Sequence, residues 1–168
     1  GTGNKIVSSV MEKLPDIFID NVSSKDNYIR ILGRIKNQRV WKWIKREYII
    51  ENEYLDSYNL FVPEANNTGK FGETLTAPSY GIPGDATADT YLSAGVFKTK
   101  IETENLNKYM KTKFFRALLG VKKVTQHCPP MVWEIIPCQD FTEDSDIDWS
   151  KSVHEIDLQL YKKYGLSD

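Results

Sequence analysis

Apolar and polar positions in this chain follow two different periods, and the changes between them mark out its elements. Residues 4–13 predict a short helix that ends before Pro15. Ile17-Phe18-Ile19 and Tyr28 to Leu32 are β-branched and aromatic runs separated by the polar turn Ser23 to Asn27, and predict short strands. Val40 to Ile50 alternates, with Val40, Lys42, Ile44, Arg46 and Tyr48 on one parity and Trp41, Trp43, Lys45, Glu47 and Ile49 on the other. Neither face is purely apolar, so this strand offers cations on one side and two tryptophans on the other, the rings being better explained as core than as a stacking platform. Leu60-Phe61-Val62, Thr90 to Phe97 and Met131 to Ile136 complete the expected strands.

Between Thr99 and Lys123 the period becomes helical. Leu106, Met110, Phe114, Ala117, Leu118 and Val121 fall on one side of a single helix, and Lys108, Lys111, Arg116, Lys122 and Lys123 on the other, with Phe115 among the cations. Thr99 and Glu102 have the spacing of a capping box at its start. Ser152 and Glu155 repeat that spacing before Val153, Ile156, Leu160 and Tyr164, a C-terminal helix ended by Gly165. Residues 137–149 read as an acidic linker. The expected architecture is α+β: a mixed, mostly antiparallel sheet packed with a central helix and a C-terminal helix. At 168 residues the chain is read as one domain, 1–168.

The segment from Pro63 to Asp89 is rich in glycine, proline and small polar residues; irregular stretches of that length are usually either functional or disordered, and the functional reading is favoured here. Asn66, Asn67 and Lys70 carry donors suited to phosphates or base edges, on a backbone that Gly69 and Gly72 let approach a ligand. Phe71 follows Gly69-Lys70 where a phosphate loop needs a hydroxyl, so this is not a nucleotide-binding motif.

Net charge is −1, from 22 basic and 23 acidic residues, but the charges are segregated. Arg34, Lys36, Arg39, Lys42, Lys45 and Arg46 follow one another without an acid, while Asp140, Glu143, Asp144, Asp146 and Asp148 gather elsewhere. A polyanion responds to such a local field more than to net charge, and Arg39, Lys42, Lys111 and Arg116 are expected to converge on one surface. No apolar run approaches the ~20 residues of a membrane span. Two cysteines and the absence of a secretory pattern favour a cytoplasmic protein.

Catalytic motifs are missing. Cys128-Pro129-Pro130-Met131 lacks the polar acceptor and the aromatic that an amino-methyltransferase places around two prolines. No Asp or Glu has Lys two positions on, as a magnesium-dependent nuclease of the PD-(D/E)xK kind requires. His127, Cys128, Cys138 and His154 have no metal-ligand spacing, and no metal is expected. The chain reads as non-catalytic on its own.

Four stretches together, NLFVPEANNTGKFGE, DTYLSAGVF, YMKTKFFRALLGVKKVTQ and the ending that contains WSKS and YKKYGL, resemble the C-terminal specificity region of bacterial type II restriction-modification adenine methyltransferases, whose target recognition domain is TaqI-like. The resemblance runs from about Trp41 to the C-terminus. It implies a DNA-binding domain whose partners are double-stranded DNA and a methyltransferase catalytic domain of the same polypeptide. S-adenosylmethionine is expected on that absent domain and no cofactor in this chain; the parent enzyme methylates, with or without restriction endonuclease activity. It places DNA contact or its support on Lys111, Lys113, Arg116, Lys123, Thr125 and Gln126. Relatives tend to read VPKAN where this chain has Glu64, which puts a phosphate contact there in doubt. The alternative is a protein-interaction domain that docks the catalytic part through Phe115 and Trp43.

Overall fold

A computed structural model describes residues 5–167. The fold is α+β, with two small, mostly antiparallel sheets, one of them mixed, and helices that include a C-terminal one. The chain groups into two compact units, residues 1–62 with 79–98, and residues 63–78 with 99–168. It therefore leaves the first unit at Pro63, returns at Ser79 and leaves again at Thr99.

In the first unit, helix α1 (Val10–Lys13) is shorter than the 4–13 its pattern predicts; residue 4 lies outside the described residues. Strands β1 (Tyr28–Ile35) and β2 (Gln38–Lys45) form an antiparallel hairpin whose turn residues Lys36 and Asn37 both have positive φ, 48° and 65°. A tight two-residue hairpin needs that geometry, and asparagine tolerates it. Strand β5 (Asp85–Thr87) adds to β1 in parallel and makes this sheet mixed. The second sheet orders β4 (Ser79–Gly81), β3 (Tyr58–Pro63) and β6 (Tyr91–Phe97).

Alternation decides what each face of the hairpin does. Ile29, Ile31 and Ile44 share one face and pack with Met11, Phe18, Leu55 and Ala88. Leu32 turns to the other face and joins Phe61, Tyr91 and Trp41. The expectation that both tryptophans are core is met in part, since Trp41 and Trp43 are each half-buried. Ile17 to Ile19 does not become a strand. Ile19 alone bridges Trp43, through mutual N–H to carbonyl bonds of 3.0 and 2.8 Å.

The second unit holds α2 (Lys100–Lys111), α3 (Lys113–Lys122) and α4 (Val153–Tyr164). Both predicted capping boxes are present, with Glu102 accepting from the Thr99 N–H at 2.8 Å and Glu155 from the Ser152 N–H at 3.0 Å. Gly165 closes α4 in the left-handed region, at φ 66°. The single helix expected over 99–123 is broken at Thr112, which is extended at ψ 151°. The Thr112 hydroxyl donates to the Tyr109 carbonyl at 2.6 Å and accepts from the Phe115 N–H at 3.1 Å, ending one helix and capping the next. The Asp157 carboxylate, reaching from α4, accepts from the Lys113 and Phe114 N–H groups at 2.9 and 3.0 Å. Three otherwise free donors at the α3 start are thus satisfied, and a carboxylate sits at the positive end of the helix.

The break changes the phase of everything after it. Phe115 is buried at 2% exposure, edge-on to Tyr109 and Trp133, while Val121 of the predicted apolar stripe is 62% exposed. Phe115 is therefore core, which corrects the picture of a ring among cations. Replacing Asp157 with alanine should lower unfolding stability by about 2 kcal/mol, since it removes two N-terminal hydrogen bonds in one step. Hydrogen exchange checks its origin: protection of the Lys113 and Phe114 amides should fall before that of α2.

Residues 131–136 form no strand but a 3₁₀ turn over Pro130–Val132 followed by further turn structure. The acidic 137–149 segment lacks regular structure as expected, yet Phe141, Ile147 and Trp149 are buried, and Phe141 and Trp149 lie 5.9 and 6.1 Å from the Tyr109 ring. No described helix is long and apolar enough to cross a membrane.

Candidate nucleic-acid interface

In the first unit the predicted cations divide between faces. Arg34 and Arg39 stand opposite each other in the β1–β2 ladder, and Lys45 shares their side by alternation. The Arg34 Nε donates to the Asn37 carbonyl and an Arg39 nitrogen to the Ser79 hydroxyl, both at 3.3 Å. Lys45 pairs with Glu47 at 3.4 Å, and that hydrogen bond raises its pKa. Lys36, in the turn, lies 3.7 Å from Glu12. Lys42 faces the other way: its side chain is 18% exposed and its ammonium is 2.6 Å from Asp20. The expected convergence of Arg39 and Lys42 on one surface therefore does not occur, because they occupy opposite parities of one strand.

Arg30 was not among the predicted residues, yet it organises this face. Its guanidinium lies 4.2 Å from the Trp41 ring centre and donates to both Asp85 oxygens, at 2.9 and 2.7 Å. Asp85 is 3% exposed and also accepts from the Ile82 N–H at 3.2 Å. Sequence alternation puts Arg30 on one face of its strand, but its position opposite Trp43 and its partner Asp85 follow from the fold.

The second unit brings together more of the prediction. Residues 66–76 form a loop laid along the C-terminal half of α3 and the segment after it. The Asn66 N–H donates to the Gln126 carbonyl at 2.7 Å, and the Cys128 N–H to the Glu64 carbonyl at 2.8 Å. Burial pushes the Cys128 thiol up to about 11, which marks it as an inert core group. Asn66 is fully buried, donating to the Pro63 carbonyl and accepting from the Thr76 N–H at 2.7 Å. Asn67, at φ 52°, donates to the Thr74 carbonyl and accepts from the Thr76 hydroxyl at 3.0 Å. Both asparagines, expected to read phosphates or bases, have their side chains engaged in shaping the loop.

Two cations expected to reach DNA are engaged in the same way. One Arg116 nitrogen donates to the Gly72 carbonyl at 2.8 Å and to the Thr74 hydroxyl at 3.3 Å. Lys123 is 2% exposed, and its ammonium meets the Glu73 carboxylate at 2.5 Å and the Thr125 carbonyl at 3.1 Å. Burial alone would raise the Glu73 pKa. The Lys123 ammonium, the Gly69 and Thr68 N–H groups and the Thr68 hydroxyl outweigh it and hold the carboxyl at about 2.

The loop therefore has a neutralised, hydrogen-bonded base and a bare tip. At that tip Lys70 is exposed and has no side-chain partner among the described residues, and the Phe71 ring is 70% exposed. Lys111 and Lys113 around the helix break, and the Gln126 amide, are likewise exposed without a side-chain partner among the described residues. No group of three or more His, Cys, Asp or Glu suited to a metal occurs among them. Comparison with known proteins finds no matching family model, no matching curated protein and no matching solved structure.

Proposed function

We propose that this chain is the DNA target recognition domain of a bacterial restriction-modification enzyme, one that binds duplex DNA and presents it to an adenine methyltransferase domain carrying S-adenosylmethionine. The observation that carries the reading is the loop of residues 66–76, which is held by Asn66, Asn67, Arg116 and the Glu73–Lys123 pair and leaves Lys70 at its tip unpaired among the described residues. A preformed loop loses little conformational freedom on binding, and an unpaired ammonium on it is suited to a phosphate. Lys111 and Lys113 supply further exposed cations, and Gln126 an exposed amide for a base edge, all without a side-chain partner among the described residues. Docking of a protein through Phe115 has no such support, because that ring is buried.

Titration of duplex DNA at several salt concentrations tests the proposal. Affinity should fall as salt rises, and Lys70→Ala should lower the log–log slope by about 0.9, the share of one phosphate contact. Lys42→Ala should leave the slope unchanged, because its charge is already matched by Asp20. Affinity indifferent to salt would defeat the reading.

A further inference from the structure

The tip of the 66–76 loop has one property that phosphate binding does not use. Phe71 occupies a central position of a four-residue turn closed by the Glu73 N–H to the Lys70 carbonyl, at 3.2 Å, with Gly72 in the left-handed region at φ 69°. The turn is pinned on both sides. Gly69, at φ 91°, lies so close to the Thr125 backbone that a Cβ would stand 2.6 Å from it, and Arg116 holds the Gly72 carbonyl. Gly120 of α3 backs the turn, where a Cβ would come within 2.9 Å of both the Gly72 nitrogen and the Phe71 ring edge. A large apolar ring is thus 70% exposed on a carrier fixed at three points, next to the Lys70 ammonium, which has no partner among the described residues. One edge of the ring rests on the Gly120 backbone, and most of its apolar surface is left facing solvent.

A side chain that enters a base stack needs these features: an apolar body mostly presented to solvent, a support that does not yield, and a cation to hold the neighbouring backbone. We infer that Phe71 is an insertion residue, wedged between adjacent base pairs of the bound duplex while Lys70 holds a flanking phosphate. This rests on the DNA-recognition reading and adds to it that the bound DNA is locally unstacked and unwound.

Unwinding can be read without knowing the target sequence. Closed circular plasmid is relaxed by a topoisomerase in the presence of saturating amounts of the 168-residue chain, and its linking number is measured after the protein is removed. The wild-type chain should shift the topoisomer distribution. Phe71→Ala should abolish the shift and weaken binding roughly tenfold with its salt slope unchanged, while Phe71→Leu, still an apolar wedge, should keep most of the shift. Lys70→Ala should lower the salt slope and retain the shift at saturation. Equal thermal unfolding midpoints of the variants will show that this exposed position leaves the fold intact. Salt-dependent binding without a shift, or a shift that survives Phe71→Ala, overturns the wedge and leaves DNA recognition standing. Salt-indifferent binding, or none, overturns both. A Phe71→Ala chain with unaltered DNA binding that no longer associates with a protein partner would reassign the ring to docking.

Discussion

Glu73→Ala is expected to destabilise the second unit by about 3–5 kcal/mol, the range for breaking a buried ion pair from one side. The effect comes from what remains: Lys123, 2% exposed, would be left with the Thr125 carbonyl as its remaining partner, and the Thr68 and Gly69 N–H groups would lose their acceptor. Glu73→Ala combined with Lys123→Met should recover a large part of the loss, because no buried charge is then left alone. Thermal or urea unfolding of the two variants separates the cases. The same pair predicts a pH dependence. The Glu73 pKa falls on folding from an ordinary 4.5 to about 2, so its contribution is fully present above about 4.5 and is lost as pH drops toward 2. Wild-type and Glu73→Ala midpoints should therefore differ most near neutrality and draw together in acid.

In the first unit the corresponding expectation concerns Asp85. Its alanine variant should lose about 3 kcal/mol, because Arg30 would lie over Trp41 without its forked acceptor and the Ile82 N–H would lose its partner. Arg30→Lys is not conservative here. An ammonium cannot make two parallel bonds to one carboxylate while lying flat on an indole, so this variant should recover less than half of the pair's contribution. Urea unfolding followed by tryptophan emission reads both changes, with Trp41 as the local reporter.

What could be read ahead of the structure was whatever depends on near neighbours in the chain. The capping boxes at Thr99 and Ser152 and the Gly165 stop depend on residues a few positions apart and appear as expected, whereas the alternating strand read over Val40 to Ile50 holds only as far as Lys45, where Arg46–Tyr48 turns into a 3₁₀ helix. The failures share a cause in partners distant in sequence. The helix break at Thr112 relies on Asp157, 44 positions beyond Lys113, and Thr112 has phenylalanine, not Glu or Gln, at the third position that would complete a local box. Phe115 consequently looked exposed because its face was assigned from an uninterrupted helical period. Arg116 and Lys123 looked like free cations because their partners, the Gly72 carbonyl and the Glu73 carboxylate, come from a loop about fifty residues earlier. Lys42 looked like one because Asp20 sits in a segment with no period at all. In each case charge type was legible and charge balance was not, since balance depends on tertiary proximity.

The three passages of the chain between its units limit how the molecule can be dissected. A fragment cut at residue 99 would carry Lys123 and Arg116 but leave behind the strip that supplies Glu73 and the Gly72 carbonyl. A fragment stopping at residue 98 would keep that strip with nothing to lie on. Neither half can be obtained by truncation, so moving the loop into another scaffold requires splicing residues 63–78 together with 99–168 as one inheritance.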